Sequence, residues 1–440
     1  MTIMATATEH EQPTRRNWMS FCSLLVLQTQ NAFNDKAAQF LLIPLGGALM
    51  SKFPMARGLE YLLGALIVLP FIIFAPLAGW LSDRYSKTYV IRGTILLQFV
   101  VLVLITVAVW QQDLWLAVLG FFMLSVESVL LSPAKRGIIK EIVGHGRLGF
   151  ASGVLEMTVI LAVCVGQILS SKWYDSNLGG LESNYPGNPA NPWDAALIPL
   201  VILAAAALPT ILISFGIEKI PAMGKRKFET KILWEHFLQL KDLWEDRRIR
   251  LSAVGIAFFW GFAGFLNLVA IQIGKDTSGG GVGFGSDIAW LMLAATGGIA
   301  GGGLISSLAC RKKIQLGLVP LGGAIMVAGS LSLAFTTIDS SWIKVWIAIT
   351  GAGGATLLVP LNAYLQDICP SNKRGRIIAA LNLLDCIAGL FAVILQALLT
   401  KACVPYMLQF SLLAVLAMVA SCFAARLLPR QFLGLIRRAK

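Results

Sequence analysis

From Tyr61 to Ser82 the chain carries no charged side chain, and then Asp83, Arg84 and Lys87 arrive together. An apolar run resumes at Val90. A helix rises about 1.5 Å per residue, so about 20 apolar residues cover a hydrocarbon layer about 30 Å thick. Two such runs separated by a short charged knot read as two membrane-crossing helices joined by a loop in water. No strand arrangement other than a closed barrel is open to a chain that must satisfy its backbone inside lipid, and runs of this length are helical.

Composition agrees. Of 440 residues, 57% are hydrophobic and 13% charged, with a mean hydropathy of +0.74. A soluble domain carries about 25% charged residues. The expected fold class is an all-α membrane protein. Cutting at charged and Pro/Gly/Asn-rich breaks yields twelve spans, near 18–50, 59–83, 90–110, 114–135, 149–171, 195–217, 251–274, 287–309, 316–337, 342–366, 376–400 and 403–427. Residues 1–17 are polar and the first apolar segment continues as a full span, so no cleavable signal peptide is expected.

Charge sets the orientation. With the N-terminus inside, the inner segments hold 29 of the 36 Lys and Arg residues. The outer loops hold Lys52, Arg57, Lys172, Lys275, Lys344 and Lys401, and Lys36 lies within the first span. That asymmetry places both termini in the cytoplasm. The net charge of +13 therefore reflects topology and does not argue for nucleic acid.

The longest inner connection, Glu218 to Arg250, divides six spans from six. The expected organisation is a bundle over 1–217, a linker over 218–250 and a bundle over 251–440. The linker carries a helical stripe of Leu233, Phe237, Leu240 and Trp244, which reads either as an amphipathic helix on the membrane surface or as a plain tether. The outer stretch Asp175–Asp194, rich in Asn, Gly and Pro, reads as an irregular loop. Ser278–Gly285 has the glycines of a nucleotide loop, but no strand precedes it and no Gly-Lys-Ser/Thr follows, so it reads as a turn. An internal repeat supports two related halves: Leu131-Ser-Pro-Ala-Lys-Arg-Gly in span four matches Leu358-Val-Pro-Leu-Asn-Ala-Tyr in span ten. Leu155-Glu156 then corresponds to Leu384-Asp385.

Six plus six spans, a long central inner loop and Gly79, Asp83, Arg84 and Lys87 between spans two and three resemble the major facilitator superfamily. Ser86 stands where that pattern has a second glycine, and Thr88 where it has a basic residue. A narrower set is spread over both halves: Asn31-Ala-Phe-Asn-Asp-Lys, Phe74-Ala-Pro-Leu-Ala-Gly, Ser132-Pro-Ala-Lys-Arg-Gly-Ile, Gly153-Val-Leu-Glu, Phe258-Phe-Trp-Gly and Val359-Pro-Leu-Asn-Ala-Tyr-Leu-Gln. Together these are similar to the bacterial lysophospholipid transporter (LplT) family. The resemblance implies two six-helix bundles rocking about a central cavity. It implies movement of lysophospholipids, chiefly lysophosphatidylethanolamine, inward across the inner membrane. It also implies a partner acyltransferase/acyl-carrier-protein synthetase that reacylates them. Members carry an Arg in span seven where this chain has Asn267.

Charges inside the bilayer cost several kcal/mol, of order 2.5–3.5 for Asp, Lys or Arg at a helix centre, unless paired or hydrated. Each is therefore a candidate. Asp35 and Lys36 point about 100° apart on a helix and suit a zwitterion, with Lys36 toward phosphate and Asp35 toward ammonium. The alternative is pairing with neighbouring helices. Lys135 either holds phosphate or snorkels to the interface. Glu127 lies about two turns further out, and Glu156 and Asp385 are pseudo-symmetric carboxylates that bind a driving cation, hold gates or play a purely structural part. Asp83 and Arg84 are expected at the hinge, either as a gating pair or as a basic loop only. Asn267, Asn362, Gln366 and Asn382 supply neutral hydrogen-bonding groups for substrate or between helices. Gly297–Gly303 reads as small-residue helix packing.

No cofactor or metal site is expected. The seven cysteines are scattered without a Cys-x-x-Cys, and the three histidines lie outside the spans. An acyltransferase reading fails on His-x4-Asp spacing, since His145 is followed there by Phe150 and His236 by Lys241. The partners expected are the lysophospholipid and membrane lipids. The alternatives that share the fold are a proton-coupled drug or small-solute transporter and an uncoupled scramblase.

Overall fold

The computed structural model describes residues 14–53, 56–144, 148–184, 191–221, 229–311, 313–370 and 373–427. Among them are thirteen helices and no strand. The first six are α1 (Arg15–Leu49), α2 (Leu59–Arg84), α3 (Lys87–Trp110), α4 (Leu114–Val143), α5 (Leu148–Asn184) and α6 (Pro192–Ser214). The short α7 (Ile232–Glu245) follows, and then α8 (Arg247–Ser278), α9 (Phe284–Ala309), α10 (Leu318–Ala334), α11 (Trp342–Ile368), α12 (Arg374–Lys401) and α13 (Tyr406–Leu427). The expected spans fall on α1–α6 and α8–α13, and the linker stripe falls on α7.

Among the described residues ten helices are long and apolar enough to cross a membrane. The apolar α10 is shorter, and α1 is interrupted by Gln28, Gln30, Asn31, Asn34, Asp35, Lys36 and Gln39. The solvent these helices are built for shows on α3. Its buried face carries Ile91, Ile95, Leu102, Ile105 and Val109, and its exposed face carries Leu96, Val100, Val103 and Val107. A helix in water turns polar side chains outward; one that is apolar all round is surrounded by lipid or protein.

One expectation needs correction. Asp175–Asn184 is not irregular loop but the last turns of α5. Tyr174 and Leu178 are buried there, and the Asp175 carboxylate accepts hydrogen bonds from α9, so packing carries the helix past the composition that suggested a break.

The chain forms two compact units. The first comprises Met1–Leu41, Ile73–Ser170 and Trp193–Leu233. Its core joins Phe21, Leu24 and Leu27 of α1 to Ile91 and Ile95 of α3 and Ile138 of α4. The second comprises Leu42–Ile72, Ser171–Pro192 and Trp234–Lys440. It thus holds α8–α13, most of α7, and the ends of α1, α2 and α5 that the charge pattern places outside.

Within the second unit, glycines set helix spacing. A Cβ on Gly298 would collide with the Ala348 carbonyl oxygen, and one on Gly302 with that of Ala352. Two glycines four residues apart therefore lay α9 directly on the α11 backbone, as small-residue packing in membranes does. The Ser278–Gly285 turn bends through left-handed Gly279 and Gly283, at φ 64° and 97°, conformations that glycine reaches without steric cost.

Candidate functional site

The polar residues of α1 collect on one face because Asn31, Asn34 and Asp35 are three and four residues apart. In the first unit that face meets α4. The Asn31 amide donates to Glu127 Oε2 at 2.9 Å, and the Ser128 hydroxyl donates to Asp35 Oδ2. Lys36 points elsewhere and donates to Gln39 Oε1 at 2.9 Å, as the helical offset between neighbours requires. Lys135, further along α4, acts by its charge on both carboxylates.

Glu127 is fully buried, and Asp35 and Lys36 are half-buried. The cluster is incompletely paired: Asp35 Oδ1, Glu127 Oε1 and both amide atoms of Asn34 are buried without a hydrogen-bond partner. Buried polar atoms are ordinarily satisfied, and each exception asks for an explanation. Chemically the arrangement offers two carboxylates for a cationic group and a lysine for an anionic one.

The other expected residues are placed as follows. Asn267 on α8 donates to the Met292 sulfur at 2.9 Å in the second unit. Asn362 and Gln366 lie on α11, the first half-buried and the second exposed, and Asn382 is exposed on α12. Asp385 on α12 is half-buried, with Oδ1 buried and unpartnered and no ion pair among the described residues. Glu156 lies in α5, with its side chain outside the described residues, and the side chains of all three histidines also lie outside them. Asp83 and Arg84 are both exposed and make no ion pair among the described residues. Three residues after Arg84, Lys87 pairs with Glu141 at 2.5 Å, which ties α3 to the end of α4. Among the described residues no group of three or more metal-type ligands forms, and all seven cysteines are free thiols.

Sequence reading missed a second constellation, at the opposite ends of the helices and within the second unit. Lys275 Nζ pairs with Glu60 Oε1 at 2.9 Å, their side chains 11% and 6% exposed. Beside it the Tyr61 hydroxyl bonds Thr400 Oγ1 at 2.8 Å. Asp276 accepts from Gln272 Nε2 at 2.9 Å and from the Tyr406 hydroxyl at 2.6 Å. Asp175 Oδ2 accepts the Ser286 N–H at 2.6 Å and Oδ1 the Gly285 N–H at 3.1 Å, capping the start of α9. The only hint in the sequence was the scarcity of cations on that side, which makes Lys275 conspicuous.

An α-helical membrane protein with buried charges midway along its first and fourth helices belongs to the class of polytopic carriers. Residues 32–393 match the Major Facilitator Superfamily, and the chain belongs to that family. Among curated relatives it is 27% identical over 394 residues to the lysophospholipid transporter LplT of Photorhabdus laumondii subsp. laumondii, covering 87% of this chain and 89% of that one. It is 25% identical to LplT of Cronobacter sakazakii, with the same shares covered. Among solved structures it resembles a bacterial homologue of the human lysosomal transporter Spinster in an inward-facing, unoccupied conformation. That likeness has a TM-score of 0.66 and 16% identity over 96% of this chain and 98% of that one. The POT family transporter PepTSo gives a TM-score of 0.68 and 12% identity over 94% of this chain and 98% of that one. These likenesses show the fold, which is the major facilitator fold.

Proposed function

We propose that this chain is a secondary transporter that moves lysophospholipids of the lysophosphatidylethanolamine type across the bacterial inner membrane, for reacylation on the inner side. The observation that carries the reading is the incompletely paired cluster of Asn34, Asp35 and Glu127, with Lys36 and Lys135 beside it. Its two signs of charge match a headgroup with one ammonium and one phosphate, and charged groups retained at membrane depth mark substrate paths. The lysophospholipid transporter names of the relatives support the same substrate class.

In this reading residues 1–217 and 251–440 form two six-helix bundles joined by 218–250, with both termini cytoplasmic. In the second bundle Asn267, Asn362 and Gln366 supply neutral groups for the glycerol hydroxyl or the ester. Glu60–Lys275 holds the outer ends of α2 and α8 together, and it parts when the outer side opens. Asp83, Arg84, Glu156 and Asp385 have gating or ion-coupling roles. The product is consumed by an acyltransferase/acyl-carrier-protein synthetase.

The test is lysophosphatidylethanolamine uptake in spheroplasts of cells lacking their own such transporter, with and without this chain. A fluorescent drug is run in parallel. Uptake of lysolipid that needs the chain supports the proposal; drug efflux without lysolipid uptake replaces it with a drug-transporter reading.

A further inference from the structure

The helix α7 stands apart from the others: it is too short to span, and its outward side carries large apolar side chains. Ile232 and Leu243 are buried on one side. Around the opposite side Trp234 is 68% exposed, Leu238 72% and Trp244 47%. Lys241 is exposed among them. Of the expected stripe, Phe237 and Trp244 are exposed and Leu240 is half-buried, and Trp234 and Leu238 join the exposed residues.

Ion pairs fix both the roll of this helix and its depth. Lys373, just before α12, bonds Glu245 Oε2 at 2.6 Å and lies 3.6 Å from Asp242 Oδ1. Arg376, in the first turn of α12, lies 3.6 Å from Asp242 Oδ2. At the other junction only Asp246 separates α7 from α8, and its carboxylate caps α8 by accepting the Arg248 N–H at 2.6 Å. The apolar stretch of α8 begins at Leu251 and that of α12 at Ile377. Each start is within about two helical turns of the clasp, or roughly 10 Å. Polar headgroup layers add about 5–8 Å on each side of the hydrocarbon, close to these offsets of about 6 Å on α12 and about 9 Å on α8. The end of α7 is therefore held where two spans enter the bilayer.

We infer that α7 is a docking helix for the headgroup layer of the inner leaflet, with Trp234, Leu238 and Trp244 seated among the lipids. Its occupant is the anionic phospholipid surface. Lys231, Lys241, Arg247 and Arg248 are exposed on and around the helix, and with Lys373 and Arg376 these six bases outnumber the five acids between Glu229 and Asp246, so the remaining charge complements anionic headgroups. Tryptophan favours that depth, where one end of the ring is wet and the other apolar. A short helix with an apolar face and a basic flank binds this layer. The leaflet assignment rests on the proposed orientation; the docking itself does not require any transported substrate.

The test uses the full chain in lipid nanodiscs, with the seven cysteines replaced by serine, Leu238→Cys added and labelled with an environment-sensitive fluorophore. The expected result is a blue-shifted emission quenched by nitroxide-bearing lipids. Lys241→Glu reduces the shift in discs containing phosphatidylglycerol and leaves it unchanged in discs of phosphatidylcholine alone. An unshifted emission, quenched by water-soluble but not by lipid-borne nitroxide, overturns the inference and leaves a face for a protein partner. If the cysteine-free chain does not fold, tryptophan quenching by brominated lipid decides with the native cysteines in place. The Trp234→Phe/Trp244→Phe variant then loses quenchable emission if the helix is docked, and loses none if it is not. Neither readout depends on transport, so failure of the lysolipid proposal leaves this result standing.

Discussion

Two buried charge clusters, one in each compact unit, are built on opposite plans. At Glu60–Lys275 a carboxylate and an ammonium face each other at 2.9 Å, with neighbouring hydroxyls and amides bonded in turn. At Asp35–Glu127 two carboxylates share one helix pair, with Lys36 beside them and Lys135 further along, and several buried polar atoms have no partner. Burying charge costs several kcal/mol per ion, and only close pairing with further hydrogen bonds repays it. The first cluster is satisfied by the protein itself and suits a closed contact. The second is left open in a way that pure stability does not favour, and it suits a site that completes its bonding with a ligand.

The contrast can be broken most directly at Asp35. Asparagine keeps the shape and the Ser128 contact but removes the charge. If the first cluster reads the substrate, Asp35→Asn retains normal expression and thermal stability while lysolipid uptake falls by tenfold or more, about 1.4 kcal/mol of lost recognition. Full uptake by this variant removes Asp35 from the site.

At Glu60–Lys275 the order is reversed, with stability affected first. Lys275→Met strands a buried carboxylate and is expected to destabilise the chain by about 3–5 kcal/mol. Adding Glu60→Gln recovers most of the loss, because the stranded charge is gone. Thermal unfolding of both singles and the double in detergent measures this coupling. Additive singles show that the pair does not interact.

A smaller effect is expected at Gly302→Ala. Its Cβ meets the Ala352 backbone, which cannot step aside as a side-chain tip can. Overpacking of this kind costs about 1–3 kcal/mol and lowers the midpoint of unfolding. Gly301, with nothing within 4 Å of its would-be Cβ, is the control, and Gly301→Ala leaves the midpoint unchanged or slightly raised.

The smallest effect concerns the exposed clasp under α7. The hydrogen bond and charge of Lys373 hold the Glu245 carboxyl below its ordinary value of 4.5, and Glu245 raises the Lys373 ammonium above its ordinary 10.5. A depressed carboxylate contributes stability above its unfolded pKa and loses it as pH falls through the folded one. A raised lysine contributes below its unfolded pKa and loses it as pH climbs through the folded one. The clasp is therefore constant across neutral pH and fails only at the extremes. The difference in unfolding midpoint between the parent and Glu245→Gln should stay flat from about pH 5 to about pH 10 and shrink outside that window. A difference that changes near pH 7 assigns the clasp to other groups.

The sequence by itself determined that the chain is an all-helical membrane protein and where its apolar runs lie, because a span must be apolar for its whole length and the charges that end it are local. It determined Asp35, Lys36 and Glu127 as unusual for the same reason: one charge in such a run stands out without any knowledge of its neighbours. Tertiary structure alone decided the pairings. Asp35 turns to Ser128 and Lys36 to Gln39, and Lys87 finds Glu141 while Asp83 and Arg84 stay exposed. Nothing local ties Glu60 to Lys275 across more than two hundred residues, and the helical end of α5 exists because Tyr174, Leu178 and Asp175 meet partners distant in the chain. Hydropathy is a property of a segment, legible one window at a time; a contact depends on where two segments come to rest, and only the packed chain decides that.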